Sequence, residues 1–184
     1  MRIVSIDCGI VSMSVSIVDV IDTVVIPLCL KTTDISYDAD TNTSKGEKIS
    51  IIELMDATIS YIHNVLVPYI DVNTIILIEK QIPSTPSYSI MISLYTSLKT
   101  LGYTHINIID PRLKNKYTID LTLEEFSIKY LSKYSANKAF AVYNFDKKIK
   151  ELDCSNTVID YPKKYKKDIA DSFIQLLAWL NEVP

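Results

Sequence analysis

Arg2-Ile3-Val4-Ser5-Ile6-Asp7-Cys8-Gly9 reads as a short β-branched strand that ends in a carboxylate, followed at once by glycine. An aspartate closing an apolar run is costly unless a positive partner meets it. A divalent cation is one such partner, and a simple turn cap is the plainer alternative. The chain has only three glycines. One placed two residues after the acid lets the backbone turn or approach a ligand closely.

Outward from this stretch the pattern alternates. Ser12–Val20 puts Met13, Val15 and Ile17 on one face and the serines with Val18 on the other, a second strand. Val24–Leu30 is a third, with Pro27 suited to an edge. Short connections make the three an antiparallel meander. Thr32–Ser44 is a polar loop, and its acids lack the spacing of a calcium loop. Ser44-x-x-Glu47 has the form of a capping box. It predicts a helix with Ile51, Ile52, Met55, Ile59, Ile62 and Leu66 on one stripe, ended by Pro68.

Thr74–Glu79 is a near-continuous apolar run, as a doubly covered central strand requires, and it too ends in an acid. A helix over about Tyr88–Leu101 stops at Gly102. Its Tyr88, Met91, Ile92 and Tyr95 form a stripe for packing or for a partner. The fifth strand, His105–Ile109, leads into Asp110-Pro111 and then Arg112, Lys114 and Lys116. Thr122-x-x-Glu125 is a second capping box, opening a helix to about Lys133. Tyr134–Asn137 reads as a break, and helical spacing resumes from Lys138 to about Leu152. Lys163–Lys167 is a basic linker. The last helix, about Lys167–Glu182, buries Ile169, Phe173, Leu176, Leu177 and Leu180.

That helix carries Asp168 and Asp171 near its start, on one flank. For this pair alone, capping is a sufficient explanation. Taken with Asp7 and Glu79, at the ends of strands expected to be neighbours, they make four carboxylates with nothing on those strands to neutralise them. Such a set calls for hard divalent cations, Mg²⁺ or Mn²⁺. Two such ions can activate a water and stabilise the leaving oxygen in phosphodiester cleavage.

The order of three antiparallel strands, helix, strand ending in Glu, helix, strand and late acidic helix resembles the RNase H-like fold. The expected architecture is α/β, a five-stranded mixed sheet flanked by helices, in one domain over residues 1–184. Ile6-Asp7-Cys8-Gly9, Ile78-Glu79-Lys80-Gln81 and Asp168-Ile169-Ala170-Asp171-Ser172 are similar to the three acidic motifs of RuvC-type Holliday-junction resolvases. Gln81-Ile82-Pro83 and Ala170-Asp171-Ser172-Phe173 resemble the poxvirus-type branch, with Ile82 inserted before the proline. The resemblance implies a homodimer that resolves four-way DNA junctions by paired nicks, with Asp7, Glu79, Asp168 and Asp171 as ligands of probably two Mg²⁺ or Mn²⁺ ions. It also implies a lysine near the scissile phosphate, for which Lys138, placed before a helix, is the choice and Lys114 and Lys116 the competitors. Gln81, Arg112, Lys114 and Lys116 are expected to contact DNA.

Charge distribution bears on this. Residues 1–98 hold 5 basic and 11 acidic groups, residues 99–167 hold 14 and 8, and residues 168–184 hold 0 and 3. A positive segment beside acidic ones fits a phosphate-tracking face next to a cation-binding cleft, although lysines on solvated helix faces give the same sums. The three cysteines are too far apart for a zinc knuckle, and their odd number argues against a disulfide framework. No apolar run approaches a membrane span and no signal-peptide pattern opens the chain, so the expected compartment is cytoplasmic, the host cytoplasm for a large-DNA-virus protein. An RNA–DNA hybrid hydrolase, a transposase core and a non-catalytic branched-DNA-binding module remain as alternatives.

Overall fold

The computed structural model describes residues 1–128 and 132–182, with the side chain of Glu47 outside that set. Three strands open the chain: β1 (Arg2–Asp7), β2 (Met13–Ile21) and β3 (Val24–Thr33). They pair antiparallel as the expected meander, with a register shift that lets Leu28 bulge between Pro27 and Cys29. A small hairpin follows, β4 (Tyr37–Asp38) and β5 (Thr43–Ser44), then helix α1 (Ile51–Tyr61). Strand β6 (Ile75–Glu79), helix α2 (Pro86–Thr100), strand β7 (Ile106–Ile109) and helices α3 (Leu123–Ser127) and α4 (Lys133–Glu151) come next. Strand β8 (Val158–Asp160) and helix α5 (Lys166–Glu182) complete the order.

The main sheet runs β7-β6-β1-β2-β3-β8, with β6 parallel to both β1 and β7 and β8 parallel to β3. Among the described residues it has six strands where five were expected. The additional one, β8, is short and exposed, and the region before the basic turn carries little apolar periodicity to announce it. Its presence means that Pro27 lies on a strand only partly at the edge. Pro27 has no N–H to offer outward, and its carbonyl accepts from Thr157 Oγ1 at 2.8 Å.

Alternation along the strands sorts side chains to two layers. Val4, Ile6, Ile76 and Ile78 point to α1 and α2, forming one core with Leu54, Leu66, Leu94 and Leu98. Ile3 and Leu77 point the other way, to α4 and α5, with Phe145, Phe173 and Leu176. Ser5, Asp7 and Glu79 share the parity of Ile3 and Leu77, so both strand-end acids face α5.

Helix ends explain where the sequence reading held and where it failed. Gly102 (φ +93°) closes α2 as expected: its N–H donates to Lys99 O, and Tyr103 N–H donates to Leu98 O. The Thr122/Glu125 capping box also forms. The Ser44/Glu47 box does not open α1. Gly46 sits between them at φ +53°, outside the helical region, and Ser50 with Glu53 makes the box instead. Alpha1 also turns an unexpected face inward. Leu54, Thr58, Tyr61, Ile62 and Leu66 are buried, whereas Ile51, Ile52, Met55 and Ile59 are exposed. Thr58 and Tyr61 disguise the inner stripe, and the Thr58 hydroxyl satisfies itself on Leu54 O at 2.7 Å. The expected break at Tyr134–Asn137 is absent, since Ser132 caps a helix already running at Lys133. Alpha3 is described only to Ser127, and the rest of the helix expected there reaches residues 129–131, outside the described residues. The basic linker resolves into a 3-10 turn, Lys163–Tyr165, leading directly into α5.

Candidate active site

Strand register builds the site. Ile6 pairs with Ile78 in the parallel β1–β6 ladder, so Asp7 and Glu79 leave neighbouring strands side by side. Gly9 lets the chain turn back immediately. A Cβ there would lie 2.9 Å from Ser12 O and Oγ, so the close approach is to the chain's own turn.

Alpha5 crosses this end of the sheet with small polar contacts. Ser172 and Ser16 hydroxyls lie 2.7 Å apart, and Gln175 Nε2 donates to Ser5 Oγ at 3.3 Å. The serine face of β2, which alternation alone leaves undecided, is therefore covered. Close packing under α4 buries α5 on most sides, from Ile169 to Ala178. Asp171 comes with it and is only 1% exposed.

Two lysines enter the acid cluster. Lys114, on a 3-10 turn after β7, lies 3.0 Å from Asp171 Oδ2 and 3.5 Å from Glu79 Oε1. Lys138, one turn into α4, donates to Asp171 and lies 3.2 Å from Asp168 Oδ1. Lys138 thus sits inside a helix and not before one, but it reaches the acids. Asp168 joins the group through this lysine and remains half-buried.

Electrostatics follow from this crowding. Asp7 keeps some solvent contact but is packed deeply among protein atoms. Burial, then the adjacent Glu79 charge, pushes its carboxyl well above the usual range against the pull of Lys138 and Lys114. Burial also raises Glu79, with Lys114 opposing and Asp171 adding. For Lys138, burial favours loss of the proton, but Asp171 and Asp7 outweigh it and raise the ammonium pKa. Burial acts the same way on Lys114, and Glu79 and Asp171 overcome it. Even so, Glu79 Oε2 and Asp171 Oδ1 are buried oxygens without a hydrogen-bond partner. Among the described residues, no three His, Cys, Asp or Glu side chains are gathered into a group that could hold a metal ion as they stand. The lysines stand among the acids in that arrangement.

The other expected DNA contacts are placed differently. Gln81 folds back, its Nε2 donating to Glu79 O at 3.3 Å. Arg112 is exposed but gripped by the Asp110 carboxylate, and Lys116 pairs with Glu182 at 2.5 Å. Lys114 is not on an outer phosphate-contacting surface but within the acid cluster. The signal for it was available: Leu113 is a core residue beside a turn that leaves the neighbour of β6.

No family model matches this chain, and no curated protein matches it. Solved structures do. The fowlpox virus resolvase in complex with substrate Holliday junction DNA is 16% identical, with TM-score 0.61 over 98% of this chain and 97% of that one. The yeast mitochondrial Holliday junction resolvase is 13% identical, with TM-score 0.60 over 97% of this chain and 78% of that one. Thermus thermophilus RuvC in complex with a Holliday junction substrate is 10% identical, with TM-score 0.51 over 98% and 95%. The mixed sheet, its helical layers and the order of its elements are those of an RNase H-like protein, and the chain shares its fold with the Holliday junction resolvases.

Proposed function

We propose that this chain is a metal-dependent endonuclease that resolves four-way DNA junctions by paired nicks. The observation that carries the reading is the meeting of Asp7, Glu79 and Asp171, from three separate elements, with Asp168 joined through Lys138. Burying several acids together is unfavourable for a merely structural site. The two partnerless buried oxygens, Glu79 Oε2 and Asp171 Oδ1, leave hard donors that suit Mg²⁺ or Mn²⁺. Asp7, Glu79, Asp168 and Asp171 would hold the metal, which when bound supplies an activated water and charge neutralisation at the phosphate. Lys138 and Lys114 hold the carboxylates together before metal arrives. Once metal takes over that role, their ammonium groups are free to face a phosphate oxygen.

A second copy of the chain fits the two-fold symmetry of a junction. Support comes from the apolar residues left exposed on the side of the sheet away from the acids: Ile51, Ile52 and Ile59 on α1, Ile92 and Tyr95 on α2. Alpha1 packs along α2, so these belong to one helical layer. No described helix is long and apolar enough to cross a membrane. The fold alone leaves the substrate open. A side-by-side assay on four-way junction, RNA–DNA hybrid and linear duplex decides it. Junction cutting in preference to the other two supports the reading, and preferred hybrid cutting overturns it in favour of a hybrid hydrolase.

A further inference from the structure

Beside the acids lies a cleft of about 290 Å³, lined by Tyr134, Lys138, Lys164, Lys167 and Asp168 among others. It shares Lys138 and Asp168 with the acid cluster, so anything leaving the cluster on that side enters it. Its outer cations are free. Lys31, Arg112, Lys116, Lys147 and Lys166 each pair with a carboxylate. Lys164 and Lys167 make no ion pair among the described residues, and Lys164 only overlies the Tyr165 ring at 4.6 Å. Both are exposed, as is Tyr134, at 73%. The first turn of α5 adds backbone N–H groups and the positive end of its dipole to the same wall. Folding gains nothing evident from leaving an aromatic ring and two unpaired ammonium groups around one hollow.

We propose that this cleft binds the DNA strand on one side of the cleaved phosphodiester. Lys164 and Lys167 take backbone phosphate, and Tyr134 offers a face for an unstacked base or its sugar. The cleft has room for one nucleotide of a single strand and is too confined for a duplex, which suits the branch point, where pairing is interrupted. This inference rests on the resolvase reading. It relocates the phosphate-tracking surface from the Arg112–Lys116 segment, whose cations are already engaged, to the turn before α5.

The test is equilibrium binding of a labelled four-way junction across a salt series, with chelator present so that nothing is cut. Lys164→Gln/Lys167→Gln is expected to bind about tenfold more weakly near physiological salt. Its log–log salt slope should be shallower by about two, one per lost phosphate contact. The control Lys48→Gln/Lys99→Gln removes the same charge on the α1–α2 side and should leave both quantities unchanged. Tyr134→Ala should weaken binding at least about fivefold with no change in slope, and Tyr134→Phe should restore it. A wild-type slope and affinity in the Lys164/Lys167 variant, or equal losses in the control, overturns the cleft assignment while leaving the resolvase reading intact. A wild-type protein that neither binds nor cuts junctions removes both.

Discussion

The two faces of the sheet bury very different chemistry. Under α1 and α2 the core is apolar, built from Val4, Ile6, Ile76, Ile78 and the leucines above them, and it buries no charged side chain among the described residues. Under α4 and α5 the same strands present Ser5, Ser16, Asp7 and Glu79, and α5 answers with Ser172, Gln175 and Asp171. The apolar face could have been repeated on the second side at lower electrostatic cost. Instead the chain places acids where desolvation penalises them and brings in two lysines to offset it. A fold that keeps an arrangement unfavourable to its own stability locates its chemistry there.

The sharpest way to break this contrast is Asp7→Asn. It should reduce junction cleavage by at least about 10³-fold, while stabilising the metal-free protein by about 1–3 kcal/mol at neutral pH. The sign follows from the raised carboxyl. Its contribution to stability is fully present below the ordinary aspartate value and is lost as pH rises through the folded-state value. The variant's advantage should therefore grow on going from about pH 4 upward, as thermal midpoints measured across pH will show. A destabilised variant would mean that the carboxylate is a structural partner after all.

Lys138→Ala attacks the same face from the other side. Removing the ammonium leaves Asp171 and Asp168 less compensated and should cost about 1.5–3 kcal/mol in chemical denaturation, with cleavage reduced as well. Unchanged stability would show that the ion pairs contribute nothing. On the opposite face, Ile52→Asp should shift a dimer toward monomer in sedimentation, at constant helix content by circular dichroism. An unaltered monomer–dimer distribution assigns the exposed isoleucines no role in pairing. The smallest effect belongs to the Ser50/Glu53 box, where Lys45 at 2.8 Å, together with Ser50, holds the Glu53 carboxyl down to about 2. Its stabilisation is present above the ordinary glutamate value of 4.5 and fades as pH falls through about 2. Glu53→Gln should lower the thermal midpoint slightly at pH 7, and the two proteins should converge in strong acid.

Much of this was legible from residue order. The strand-end acids, the meander and the Gly102 stop are local signals, and each survived folding. Parity even foretold that Asp7 and Glu79 share a face, because both close runs of the same period. What escaped was decided by tertiary packing. Two Ser-x-x-Glu boxes compete before α1, and only the dihedral of Gly46 separates them. The α1 stripe richest in isoleucine lost to one containing Thr58 and Tyr61, since burial follows shape against the sheet and not hydropathy alone. Strand β8 has three exposed residues and no periodicity to announce it. Lys114 looked like a surface cation because the acids that surround it are remote in sequence.

The most direct test of the central claim is cutting of a labelled four-way junction by wild type and by Asp171→Asn, each with Mg²⁺ or Mn²⁺ and with chelator. The expected result is paired nicks by wild type that vanish with chelator, and no nicks by the variant although it binds the junction undiminished. Cleavage that persists in chelator, or wild-type cutting by Asp171→Asn, would contradict the claim that these carboxylates perform the reaction.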